Sequence, residues 1–201
     1  MDDVFSTYAS AAPTLIARFE AISSQRMFAP VLDLLPAPPT RIADIGAGTG
    51  RDAAWFADRG HTVLAVEPVA ELREAGRALH PSSSLVWLDD RLPKLAMVVR
   101  TRKRFDLVTL CAVWHHLDPG ARRTALSALA DIVAVGGMLI VSLRHGPEIL
   151  GRPVFPVPPD ETVAAAEAAG FALVRRIAAD SIQDENRAAG VRWTWLALRK
   201  R

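Results

Sequence analysis

From residue 41 onward the chain alternates short apolar runs with amphipathic stretches, and this alternation constrains the fold more than any other feature. Runs at 41–45, 62–66, 85–88, 105–110 and 138–143 have the length and β-branched content of buried strands. Segments 51–59, 69–79, 92–99 and 121–135 between them read as helices. Strands separated by helices require crossover connections, which put the strands parallel and cover both sheet faces. A helix is expected over 160–169, with Asp160 as N-cap and Gly170 just past its end. Strands 171–177 and 191–198 follow with only a polar loop, 179–190, between them, so they are expected to be antiparallel neighbours. The expected fold is α/β: a doubly wound, Rossmann-like, mostly parallel sheet of seven strands, the last antiparallel, with helices on both faces. Ahead of it, 6–35 reads as helix, with Leu15, Ile16, Phe19 and Ile22 on one face. Residues 1–40 are therefore expected to form a helical lid, and 41–201 the domain proper.

In open α/β sheets a ligand sits at the carboxyl ends of the strands. The first strand ends in Asp44-Ile45-Gly46-Ala47-Gly48-Thr49-Gly50, and a helix follows directly. Glycines there let the backbone turn tightly and approach a ligand. The spacing is G-x-G-x-G, not the G-x-G-x-x-G of a nicotinamide site. Asp44, two residues ahead of the first glycine, is badly placed for a pyrophosphate and well placed for an ammonium group. Glu67, in Glu67-Pro68, ends the second strand, where a carboxylate can accept both hydroxyls of a ribose. Asp89 and Asp90 follow the third, where a carboxylate can accept from an adenine amino group.

With the glycine turn, Glu67-Pro68 and Asp89-Asp90, the stretches Phe105-Asp106-Leu107-Val108, His115-His116-Leu117 and Gly136-Gly137-Met138-Leu139 make the chain resemble a small, single-domain class I S-adenosylmethionine (SAM)-dependent methyltransferase. Val135 stands where that family usually has a proline before the glycine pair. The resemblance implies SAM as cofactor and S-adenosylhomocysteine as product. It assigns Asp44, Gly46, Ala47 and Gly48 to the methionine part, Glu67 and Pro68 to the ribose, and Asp89 and Asp90 to the adenine. Cys111, just past the fourth strand, would offer backbone atoms.

Methyl transfer from a sulfonium is an in-line displacement with a neutral leaving group, so positioning and exclusion of water can suffice. A base is needed only where the acceptor must lose a proton. His115 and His116 lie on the loop after the fourth strand, and Arg144 and His145 at the end of the fifth. Each histidine is a candidate base, or else a packing or capping residue. Arg144 is a candidate for holding an anionic acceptor, or else part of a salt bridge. Trp114 is expected to close the pocket. Tyr8 and Arg18 lie on the lid segment.

The remaining chemistry is narrowed by what the chain lacks. It holds one cysteine, Cys111, so it has no internal disulfide, and a reducing, cytoplasmic setting is expected. Scattered histidines give no zinc ligand set, and no metal is expected. Leu110, not proline, precedes Cys111, which argues against cytosine C5 chemistry. The net charge is only +2, and the basic runs 100–104 and 199–201 are short. No nucleic-acid partner is expected, and no membrane span. The expected acceptor is a small molecule methylated on O, N or S, an anionic one if Arg144 holds it. A protein or RNA methyltransferase, and a SAM-binding regulator without turnover, are the alternatives. The oligomeric state is not legible.

Overall fold

The computed structural model describes residues 2–149 and 151–201. Met1, at the acidic start, and Leu150, in the proline-rich loop, lie outside the described residues. Seven strands form one sheet in the order β3-β2-β1-β4-β5-β7-β6. They are β1 (Arg41–Ile45), β2 (Thr62–Val66), β3 (Leu85–Leu88), β4 (Phe105–Leu110), β5 (Val133–His145), β6 (Phe171–Asp180) and β7 (Arg192–Lys200). The first five run parallel, and β7 inserts antiparallel between β5 and β6. The strand order reverses between β1 and β4, which opens a crevice at their carboxyl ends.

The central strands are buried on both faces, as crossover helices demand. One face packs Ile45, Leu110, Leu126, Leu129 and Phe171 beneath α5 (Ala96–Arg100), α6 (Pro119–Ile132) and α7 (Pro159–Ala168). The other packs Phe28, Val31, Ile42, Phe56 and Trp195 beneath α2 (Ser24–Met27), a 3₁₀ turn (Ala29–Leu34) and α3 (Arg51–Ala57). Phe28 is the hub of that face. Its ring meets those of Trp55, Phe56 and Trp195 at 5.9, 5.4 and 5.8 Å between centroids, pairs that contribute about 0.5–1.5 kcal/mol each beyond their area burial.

The first helix, α1 (Asp2–Glu20), belongs to neither face. Ala12 packs on Val69 and Leu72, which begin α4 (Ala70–Leu79), with Phe5, Tyr8, Ile16 and Phe19 around them. Its last turn is tied to the glycine turn. Thr49 Oγ1 donates to Glu20 Oε1 at 2.5 Å, and Arg51 Nη1 donates to the Phe19 carbonyl at 2.9 Å.

Several boundaries differ from the sequence reading. The expected helix over 6–35 is three pieces: Ser23 N-caps α2, accepting from Arg26 N, and Pro30 sits in the first turn of the 3₁₀ segment. The helix expected to reach 135 stops at Ile132, because Val133 already pairs with Phe105 of β4. Asp160 does not N-cap α7. Pro158 holds that position and Pro159 opens the helix, while Asp160 bonds Arg176 on β6. Gly170 does follow the helix end with a left-handed φ of 88°. The loop 179–190 contains a short helix, α8 (Asp184–Ala188). Among the described residues no helix is long and apolar enough to cross a membrane.

Candidate cofactor and acceptor site

The crevice is a cleft enclosing about 1270 Å³ of empty space, solvent at its mouth included, ample for a cofactor-sized ligand. Its floor is the glycine turn. Gly46, Gly48 and Gly50 all take left-handed φ values, 74°, 59° and 76°. The N–H groups of Gly46 and Ala47 both donate to the Val66 carbonyl, at 2.8 and 3.0 Å, folding the turn onto the end of β2. A Cβ on Gly46 would fall 2.5 Å from Val113 Cγ2, so the loop after β4 approaches as closely as a bare backbone allows.

Two acids face this floor from inside the protein. Asp44 is buried and accepts from Thr109 Oγ1 at 2.7 Å. Burial, and then the negative charge of Asp52, push its carboxyl up to about 7. Glu67 accepts from the N–H of Gly48 at 2.7 Å and of Val69 at 2.8 Å. Burial still raises it to about 7, against both of those bonds. Carboxyls held this far above their ordinary range are under-compensated as anions, and a cation or hydroxyl donors in the cleft would relieve them.

Arg51 and Asp52, at the start of α3, also line the cleft. The guanidinium grips its neighbour's carboxylate through Nε and Nη2 at 2.9 and 2.7 Å. The sequence reading missed both. The available signal was an acid and a base together in the first turn of a helix that opens on a ligand-binding turn.

The acids after β3 divide. Asp89 is two-thirds exposed, receives a bond from Arg73 Nη2 at 3.1 Å, and faces a shallow recess beside the main cleft together with Phe5 and Ser6. Asp90 lines the cleft. Its carboxylate already accepts from the N–H groups of Arg91, Met97 and Val98 at 2.8, 2.8 and 2.9 Å, which ties the loop to the start of α5. Arg73 also donates to the Glu67 carbonyl at 2.7 Å, linking the two strand ends. Pro68 and Cys111 both line the cleft, and burial raises the Cys111 thiol well above its ordinary value.

The paired histidines sit on a 3₁₀ turn, Trp114–His116, and point to different surroundings. His116 lines the cleft. Its Nδ1 lies 2.9 Å from the Pro153 carbonyl and its Nε2 3.2 Å from the Tyr8 hydroxyl. His115 is buried behind it, with ring centroids 4.3 Å apart, and its Nδ1 has no hydrogen-bond partner among the described residues. Burial, followed by the charge of His116, pushes it down to about 2. His145 shares a hydrogen bond with Thr194 Oγ1 at 2.9 Å and does not line the cleft. Arg144 also stays off the cleft wall, donating to the Pro147 carbonyl at 2.8 Å. Trp114 is a core residue. On α1, Tyr8 reaches the cleft, while Arg18 pairs with Glu185 at 3.5 Å. Among the described residues no cluster of potential metal ligands occurs.

Residues 43–141 match the family model described as a methyltransferase domain. Over these residues the chain is similar to a methyltransferase domain, and its fold is that of solved SAM-dependent methyltransferases. Uncharacterized methyltransferases of Mycobacterium tuberculosis and Mycobacterium bovis are 31% identical over 119 residues, 59% of this chain. The chain covers only 45% of those relatives' length. The 1,6-didemethyltoxoflavin-N1-methyltransferase of Burkholderia thailandensis, solved with 1,6-didemethyltoxoflavin and S-adenosylhomocysteine, shares the fold with a TM-score of 0.78. It is 21% identical, over 99% of this chain and 88% of that one. A TehB-like SAM-dependent methyltransferase of Corynebacterium glutamicum gives a TM-score of 0.68 at 19% identity, over 98% of each chain.

The family match runs from β1 into β5. It includes the glycine turn, Glu67 and the histidine turn. Tyr8, Phe19, Gln183 and Trp193, which also line the cleft, lie outside it.

Proposed function

We propose that this methyltransferase domain binds SAM on the glycine turn and methylates O, N or S of a small molecule in the adjoining half of the cleft. When bound, SAM supplies an electrophilic methyl group on a positively charged sulfur. The buried acids support this reading most strongly. Asp44 offers a carboxylate to the ammonium group, and Glu67 offers one to the ribose hydroxyls. Arg51 is the cation placed for the amino-acid carboxylate, and Gly46, Ala47 and Gly48 give the backbone approach. Asp90 orders the adenine side through the loop it ties down, and Asp89 closes its outer edge. Residues 1–40 act as the lid, since α1 is fastened to the glycine turn at Thr49 and Arg51.

The position of the positive charge supports a small-molecule acceptor over RNA or protein. Residues 100–104 immediately precede β4, and 199–201 end the antiparallel β7 opposite the start of β5. Both basic runs therefore lie at the end of the sheet away from the cleft. The lone cysteine supports a reducing, cytoplasmic setting. Calorimetry with SAM and S-adenosylhomocysteine tests the cofactor reading. Mass-labelled methyl transfer to small acceptors, set against transfer to bulk RNA and protein, tests the acceptor class. Label appearing only in macromolecules would reverse the second conclusion.

A further inference from the structure

His116 is held in one tautomer by its neighbours. A carbonyl only accepts, so the 2.9 Å contact with the Pro153 oxygen requires the proton on Nδ1. Nε2 is then the bare nitrogen, and at 3.2 Å it accepts from the Tyr8 hydroxyl. Tyr8 comes from α1, His116 from the turn after β4, and Pro153 from the segment after β5. A phenolic O–H aimed at a fixed imidazole nitrogen on a cleft wall is the geometry a general base needs toward an acidic acceptor. The cleft lining includes apolar and aromatic groups, Phe5, Val113 and Trp193 among them, suited to a flat molecule.

We infer that His116 Nε2 is the base of this site and that Tyr8 is its gate: a planar acceptor bearing an acidic N–H or O–H, of the phenol or electron-poor heterocycle class, displaces the Tyr8 hydroxyl and gives its proton to His116. This rests on the methyl-transfer reading. The acceptor's X–H bond breaks with its electron pair left on X, and the proton bonds to Nε2. The pair on X forms the new bond to the methyl carbon as the carbon–sulfur bond breaks with its electrons to sulfur, giving a neutral thioether. The imidazolium returns its proton to water.

The surroundings select the acceptor class. The charged and titratable groups around His116 are Arg144 at the end of β5, Arg152 on the loop after it, Tyr8 on α1, and His115 beside it on the same turn. Arg152 also lies over the Tyr8 ring, 4.5 Å from its centroid. Two guanidiniums favour the anion that deprotonation creates and disfavour the imidazolium. Burial first, and then these charges, hold His116 below the ordinary histidine value, against the bond to Pro153. A base so weakened matches acidic acceptors and leaves aliphatic alcohols out of reach.

The test compares p-nitrophenol, lumazine and alloxazine with cyclohexanol as acceptors, following methyl-labelled product with SAM present. Transfer is expected to the acidic group alone. His116→Ala should lower kcat by roughly 100-fold or more at a pH well below the acceptor's own pKa and regain rate as pH rises toward it. Tyr8→Phe should move KM by more than kcat, because it removes the hydroxyl that the acceptor displaces. NMR of nitrogen-labelled histidine gives a readout free of turnover: His116 should be protonated on Nδ1, with a bare Nε2 whose signal moves in Tyr8→Phe. Calorimetry with S-adenosylhomocysteine separates the two readings. Cofactor binding without methylation of any acidic acceptor, an undiminished rate in His116→Ala, or a proton on Nε2 would overturn the base assignment. Failure to bind S-adenosylhomocysteine would overturn the methyl-transfer reading beneath it.

Discussion

The carboxylate of Glu67 accepts a 2.7 Å hydrogen bond from the N–H of Gly48, so the acid ending the second strand is tied to the turn ending the first. Both residues line the cleft. The bond leaves a carboxyl group buried and short of positive charge, with Asp44 nearby in the same condition.

That condition makes stability depend on pH. Both carboxyls have folded values near 7, above ordinary values of 3.8 for Asp44 and 4.5 for Glu67. A raised carboxyl contributes stability that is fully present below the unfolded value and lost as pH rises through the folded one. Melting temperature should therefore fall as the pH of the ligand-free protein rises from about 5 to 8. Asp44→Asn and Glu67→Gln should flatten that fall. Thermal melts across the range check it, and identical slopes in wild type and variants would contradict it.

Gly46 cannot carry a side chain without moving its neighbour. Gly46→Ala adds a Cβ 2.5 Å from Val113 Cγ2 at a φ of 74°. The left-handed backbone alone costs about 1–2 kcal/mol. Denaturant melts should show at least that loss, and Val113→Ala in the same chain should restore only the part due to the clash.

Gly76 offers a case where two effects oppose each other. It lies inside α4, where alanine is ordinarily favoured by about 1 kcal/mol. Its Cβ would lie 2.3 Å from the Trp87 ring and 2.5 Å from the Thr49 carbonyl. Overpacking against a ring and a backbone oxygen costs about 1–3 kcal/mol, so Gly76→Ala should be destabilising on balance. Trp87 fills the slot between Gly76 and Gly50, and Trp87→Leu with Gly76→Ala should recover part of the loss. Equilibrium unfolding of wild type and the two variants tests the order.

Arg51 joins α1 to the start of α3. Arg51→Met removes its bonds to Asp52 and to the Phe19 carbonyl. Hydrogen exchange should quicken over the last turns of α1, with the central strands unaffected. Cofactor affinity should fall in the same variant.

The sheet was legible because its central strands are buried on both faces and so stand out as short apolar runs. The segment over 6–35 was not, because Ser23 and Pro30 break an apolar pattern that the spacing alone continues. Nor was the start of β5: Val133 sits at the end of a helical repeat, and only its pairing with Phe105 makes it strand. Within the site, strand ends marked Asp44 and Glu67. No spacing rule separates His115 from His116, since a 3₁₀ turn sends adjacent side chains to different surroundings. Tyr8 meets His116 across 108 positions of sequence, a relation that only the fold creates.

The central claim is that the glycine turn, Asp44 and Glu67 form a SAM site. Titration calorimetry of S-adenosylhomocysteine into the wild-type protein and Glu67→Ala tests it most directly. The account predicts saturable one-to-one binding in wild type and a loss of roughly 10- to 100-fold in the variant, the worth of hydrogen bonds to a charged group. An absence of binding in wild type at millimolar ligand, or equal affinity in the two proteins, would contradict it.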